Sequence, residues 1–274
     1  MAHAQPDGEP AFTASAAEAS PERAHAEVWY CTTGGLEPGD TERVLWLLSS
    51  DERRRHDRLA FARDRRDYVV AHALLRIVLA AHLSVRPQDL VFAADADGKP
   101  ALAGRWREGP SFSLSHTRGL VTCLIGSGPV GVDVEAVDPS RPADVLSRRF
   151  FAPGEAAAIE GCPADERPGR FTEIWVLKEA LFKALGRELE RPLDGVAFHV
   201  RGRRRIDTRS TVSLGAYRWA FLAMGVSGTY RLGAAVGGDT AARAARIRVS
   251  RADPLAVLDG SLTGPAGVPL ASMA

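Results

Sequence analysis

Apolar positions along this chain keep two periods, and the changes between them mark out the elements. AEVWYCTT (26–33) has the β-branched and aromatic content of a strand. Residues 40–83 are helical in character, broken near Ser49–Asp51 by a capping residue. In the second half of that stretch Tyr68, His72, Leu75 and Leu79 recur at helical spacing, which predicts an amphipathic helix. LVFAADADGKPAL (90–102) reads as a strand ending in a turn at Asp97-Gly98. FSLSH (112–116), LVTCLIG (120–126) and VGVDVEAV (130–137) follow, separated by His-Thr-Arg-Gly and Gly-Ser-Gly-Pro turns, and predict an antiparallel meander. A helical middle ends in GRFTEIWVLKEALFKALG (169–186). LDGVAFHV, TVSLGAYRWAFLAM and TYRLGAAVG then predict a second group of strands. Groups of strands and helices in this order imply α+β architecture rather than a doubly wound sheet.

The ends differ from the body. Residues 1–25 form a low-complexity leader expected to be disordered, and 250–274 read as a flexible tail of small residues. The leader carries Asp7, Glu9, Glu18 and Glu22 and no basic n-region, so it is not a secretory signal. No window reaches the roughly 18 apolar residues of a transmembrane helix. Lys+Arg at 35 against Asp+Glu at 34 leaves a net charge of +1, which argues against a nucleic-acid partner. Cys31, Cys123 and Cys162 are odd in number and form no CxxC pair, which excludes a disulfide framework or structural zinc. A soluble, cytoplasmic protein without a membrane partner is the expectation.

Candidate chemistry concentrates at a few positions. In Val130–Glu135 the strand period puts Asp133 and Glu135 on one face, about 6.6 Å apart, with Gly131 leaving open space beside them. They are either hard oxygen ligands for magnesium or the solvated face of an edge strand. Glu179 and Lys183 lie four apart on the 169–186 helix, so they are either site residues or an ordinary ion pair. Lys178 is the only charged member of the stripe 171, 175, 178, 182; it either snorkels to the surface or meets an anion. Ser115-His116 ends a strand, where the two side chains point to opposite faces and could contact phosphate or ribose. No GxSxG elbow supports a hydrolase. Lys99 before Pro100 belongs to a turn, and Arg53 and Arg55 belong to a basic run that is either solvated or holds a phosphate.

The series GKP (98–100), FSLSH (112–116), GVDVE (131–135), RFF (149–151) and WVLKEALFKALG (175–186) resembles the Sfp-type 4′-phosphopantetheinyl transferases. The resemblance spans roughly 26–236, including ALLR (73–76). It implies two pseudo-symmetric α/β halves, each a helix on a small antiparallel sheet, over 26–130 and 131–240, with the active site in the cleft between them. The activity it implies is transfer of the phosphopantetheine arm from coenzyme A to a serine of an apo acyl or peptidyl carrier protein, as in polyketide and nonribosomal peptide synthesis. It implies magnesium, replaceable by manganese, on Asp133, Glu135 and Glu179, with Glu179 also the base. Lys183 is then the lysine at the pyrophosphate. Ser115, His116, Lys99 and Pro100 stand at the adenosine and phosphate end of coenzyme A, and Arg53 and Arg55 near its 3′-phosphate. Two fused halves imply a monomer. A magnesium-dependent phosphohydrolase and a silent coenzyme A or carrier-protein binding module are the competing readings.

Overall fold

The computed structural model describes residues 25–95, 98–187, 193–202, 205–211, 213–239 and 246–262. All of the expected leader but its last residue therefore lies outside the described residues, as do 263–274 and Asp97. β1 (His25–Thr32) opens the fold, and a 3-10 stretch, Pro38–Leu47, follows. α1 (Ser50–Arg58) begins at a capping box: the Glu52 amide donates to Ser49 Oγ at 3.2 Å, and the Ser49 amide donates to Glu52 Oε2 at 2.7 Å. α2 (Ala62–Leu83) is buried on nearly every side from Val69 to Ala80, so the expected single apolar face is instead almost a complete ring. The 3-10 stretch and the segment 252–262 cover the sides that the sheet leaves open.

The single strand expected over 90–102 is a hairpin of β2 (Phe92–Ala94) and β3 (Pro100–Leu102), paired Ala94 to Pro100. Asp95 turns the chain back, because its side chain accepts from the Lys99 amide at 2.8 Å while its own amide donates to the Lys99 carbonyl at 2.8 Å. β4 (Ser111–Thr117), β5 (Leu120–Gly126) and β6 (Val130–Ala136) come next. The helical middle is α3 (Ala143–Phe150), α4 (Pro153–Glu160) and α5 (Arg167–Leu185). β7 (Val196–Gly202), β8 (Arg205–Ser210), β9 (Tyr217–Val226), β10 (Tyr230–Asp239), β11 (Arg246–Arg251) and α6 (Pro254–Asp259) complete the order.

The main sheets run β11-β1-β5-β4 and β6-β10-β9. β6 thus leaves the expected meander. It pairs antiparallel with β10, Asp133 opposite Gly233, and lays Val130, Val132 and Val134 against Leu120 and Leu124 of β5 in a core between the sheets. Toward β4 it meets side chains instead of a ladder, the Val132 amide donating to Ser113 Oγ at 3.1 Å. α2 covers the outer face of the first sheet and α5 that of the second, giving a mixed α+β molecule of two helix-on-sheet halves.

The expected tail is corrected in the same way. β11 joins β1 in parallel, His25 opposite Arg246, and Ala252, Val257, Leu258 and Leu262 are buried in the core around α2. The burial of these apolar side chains holds 250–262 in the first half, which is therefore not contiguous in sequence.

Candidate active site

The site begins with how closely α5 lies on its sheet. A Cβ on Gly131 would stand 1.9 Å from the Ala180 carbonyl oxygen, and one on Gly233 2.6 Å from the Val176 backbone. Gly131 thus leaves no open space. It admits the backbone of α5 to van der Waals contact with the sheet, as only glycine can. That approach covers Asp133, which is 5% exposed, so β6 presents no solvated carboxylate face there.

Asp133 gathers residues from three elements. Ser115 Oγ on β4 donates to its Oδ1 at 2.8 Å, and Lys183 Nζ on α5 donates to the same oxygen at 2.7 Å. Lys183 also donates to Ser115 Oγ at 3.1 Å. Lys183 therefore reaches across to the strand, beyond anything a pair along its own helix requires. Asp133 Oδ2 is buried and has no hydrogen-bond partner. A buried acceptor without a donor is costly and points to a ligand of positive charge. Glu135, half-buried two residues on, has its carboxyl held above the usual range by burial first and then by the charge of Asp133. Arg141 and Lys183 oppose that shift, and Glu179 adds to it. Asp133 and Glu179 thus both lie in electrostatic range of Glu135, and three carboxylates are a hard-oxygen set that suits a divalent cation. As they stand, however, no three His, Cys, Asp or Glu side chains among the described residues are grouped closely enough to hold a metal ion. The expected trio of Asp133, Glu135 and Glu179 is not assembled in this conformation.

β4 serves a second region from its other face. Ser113 and Ser115 turn toward β6, while Phe112 and Leu114 pack in the core around α2 and His116, next in that alternation, is exposed. His116 lies within electrostatic reach of His72 on α2, whose ring is stacked 3.9 Å from that of Tyr68. Burial lowers the pKa of His72, and its Nδ1 lies 2.9 Å from the Tyr68 carbonyl oxygen. Burial pushes the Tyr68 phenol up to about 12, helped by the charge of Glu52 and opposed by Arg55 and Arg76. The Tyr68 hydroxyl is buried without a partner. Arg76 itself is buried, pairing with Glu52 at 2.7 Å and donating to the Pro87 and Leu90 carbonyls, which ties α1 to α2. Tyr68 and His72 were legible in sequence only as members of a helical stripe. The feature that could have singled them out is a hydroxyl and an imidazole four residues apart on an otherwise apolar surface.

Other expected site residues are partly committed to the fold. Arg53 donates to the Leu48 carbonyl at 3.0 Å and the Trp46 carbonyl at 3.3 Å, fastening α1 to the preceding segment. That leaves Arg55, exposed and electrostatically close to Tyr68, as the member of the pair facing the second region. Lys99 donates to the Val130 carbonyl at 2.8 Å, which anchors the hairpin to the first residue of β6, and Pro100 is exposed beside it. Burial lowers the pKa of Lys99.

Comparison with known proteins bears on this arrangement. The profile of the 4′-phosphopantetheinyl transferase superfamily matches residues 129–235, which include β6 and α5, and a second, "4′-phosphopantetheinyl transferase, N-terminal", matches 37–127. The Synechocystis sp. protein slr0495 is 35% identical over 173 residues, 62% of this chain and 68% of its own. HetI of Nostoc sp. is 34% identical over 152 residues, 55% of this chain and 61% of its own. Sfp of Bacillus subtilis is 27% identical over 166 residues, 61% of this chain and 71% of its own. All three carry a 4′-phosphopantetheinyl transferase name.

Proposed function

Since the chain belongs to the 4′-phosphopantetheinyl transferase superfamily, we propose that it moves the phosphopantetheine arm of coenzyme A to a serine of an apo carrier protein. The products are the holo carrier protein and 3′,5′-ADP. The observation that carries this reading is the Asp133–Ser115–Lys183 cluster, built where β4 of one half meets β6 and α5 of the other.

The chemistry asks more for charge neutralisation than for a covalent intermediate. The serine oxygen attacks the phosphorus that bears the pantetheine arm, and the bond from that phosphorus to the bridging oxygen of the departing 3′,5′-ADP breaks. Glu179, half-buried on α5, takes the serine proton. Lys183 offsets the charge that grows on the leaving phosphate. Asp133 and Glu135 on β6, with Glu179, would hold magnesium or manganese, and the buried, donor-free Oδ2 of Asp133 fits that role. When bound, the ion supplies positive charge at the pyrophosphate. His116, Arg55, Ser115 and Lys99-Pro100 receive the adenosine and 3′-phosphate end, with Tyr68 and His72 beneath them, while Arg53 supports α1 from behind.

The reading includes a monomer, because both helix-on-sheet halves are in one chain, and a cytoplasmic location among carrier proteins of polyketide or nonribosomal peptide synthesis. No described helix is long and apolar enough to cross a membrane. The test is incubation with coenzyme A, magnesium and an apo carrier protein. A carrier mass gain of one phosphopantetheine arm supports the proposal. Free phosphate without carrier modification indicates a phosphohydrolase, and binding without either product indicates a binding module.

A further inference from the structure

Asp133 is the residue best suited to a divalent ion, yet none of its carboxylate is open. Oδ1 receives two donors, from Ser115 at 2.8 Å and Lys183 at 2.7 Å, and Oδ2 is covered by the surrounding protein. A cation approaching from solvent must displace something. The Asp133 side chain is 6% exposed and that of Lys183 33%, so Lys183 is the more accessible partner. Ser115 is buried on a strand paired through its whole length to β5, His116 opposite Val121 and Ser115 opposite Thr122. Its hydroxyl sits on a single carbon in a buried position, so it can turn about that bond but cannot leave the site. Lys183 hangs on four methylenes near the end of α5 and can swing out at the cost of the ion pair and its hydrogen bond to Ser115.

We propose that Lys183 is the resident counter-cation of Asp133: it closes the carboxylate in the metal-free chain and is displaced from it when a divalent ion binds. The two positive groups then compete for one carboxylate, because an ammonium left 2.7 Å from the oxygen would face the incoming double charge at close range. Displacement also changes the state of Lys183. Its ammonium leaves an internal partner and becomes free to meet an external anion, so occupancy of the metal site and availability of the phosphate-binding lysine are linked. The inference rests on the metal assignment made above.

The test uses the full chain and manganese as the probe, with free manganese followed by electron paramagnetic resonance. Lys183→Met keeps the length of the side chain and removes the charge. It is expected to bind manganese about fivefold or more tightly than the wild type, the lower end of an ordinary coupling between two sites. Asp133→Asn is expected to lose most of the binding. In parallel, the hydrogen-bonded side-chain ammonium resonance of Lys183 in the wild type is expected to vanish as magnesium is added. This second measurement decides the matter if Lys183→Met does not fold. Equal or weaker manganese binding by Lys183→Met, or an ammonium resonance that persists at saturating magnesium, would overturn the inference and make Lys183 a support for Asp133. Absence of manganese binding in both wild type and variant overturns the metal assignment itself, and the inference with it. The carrier-protein assay measures transfer independently of both.

Discussion

Two lysines on α5, five positions apart, engage carboxylates in opposite ways. Lys178 is wholly enclosed: it pairs with Glu155 at 2.8 Å, both side chains 0% exposed. Its other protons go to the Leu193 carbonyl at 2.9 Å and to the Val196 carbonyl. The rings of Phe151 and Phe198 flank it at 5.2 and 5.7 Å. Glu155 is equally used, accepting from the Ala152 amide at 2.9 Å and the Phe198 amide at 2.8 Å. Lys183 and Asp133 form a partly open pair whose carboxylate keeps one oxygen without a donor. A pair with every donor and acceptor satisfied can only hold the fold together, here by joining α4, α5 and β7. A pair that leaves capacity unused can exchange partners. Similar chemistry five residues further along the helix serves structure at Lys178 and, under the proposed function, turnover at Lys183.

The contrast between the two lysines is most exposed to test at Lys178. Lys178→Met leaves the Glu155 carboxylate buried without its counter-charge, and the expected loss is about 3–5 kcal/mol of stability. A denaturant titration reads this, and a loss under about 1 kcal/mol would mean the pair is not the structural member. At Lys183 the expectation is reversed. Lys183→Ala should lower kcat/KM for carrier modification by about 10²–10³-fold while costing less stability than Lys178→Met, since Lys183 is partly exposed. Rates within about threefold of wild type would return Lys183 to the class of ordinary ion pairs.

Gly233→Ala refines the contrast by acting on the seat of the helix. The added Cβ falls 2.6 Å from the backbone at Val176, so α5 must shift, at about 1–3 kcal/mol. Because Asp133 sits opposite Gly233 on the neighbouring strand, activity should fall further than stability alone explains. Equal losses in both, judged from rates measured well below the melting temperature, would show that helix seating does not set the site.

The smallest expected effect is at Glu135. Its pKa is raised in the folded state, so the folded protein binds more protons than the unfolded chain between the two values. Stability therefore falls as pH rises from the usual carboxylate value to the raised one, and Glu135→Gln abolishes that fall. Without metal, the variant should melt above the wild type at neutral pH and lose this advantage under acid. Parallel melting curves for the two proteins across that window would remove the argument.

Much of the site was legible in the sequence, for local reasons. Asp133 and Glu135 share a face because a strand alternates, and Glu179 and Lys183 share a stripe because a helix repeats. The break near Ser49–Asp51 was readable as a helix start because capping needs only neighbours. What the sequence did not disclose depends on distant partners. Gly131 read as open space because no local rule says that a helix backbone will lie against it. The segment after 250 read as a tail because its burial depends on β1 and α2, more than two hundred and about one hundred and eighty residues earlier, respectively, in the numbering. β6 read as the third strand of a meander because turn residues announce a reversal and do not say which strand will receive the next one.

Local rules were therefore enough for the long helices, the central strands, and the acidic and basic side chains that share a face, since these follow from backbone period and from contacts within a few residues. Which charge meets which was left to packing across the whole fold. Lys183 lies 50 residues from Asp133 and 68 from Ser115, and two glycines set the depth of α5 that brings them together. Lys178 was equally basic and equally placed in its stripe, and close packing gave it a sealed partner instead. Pairing energies of this kind depend on burial and on competition among all donors within reach, and burial exists only once the layers have packed.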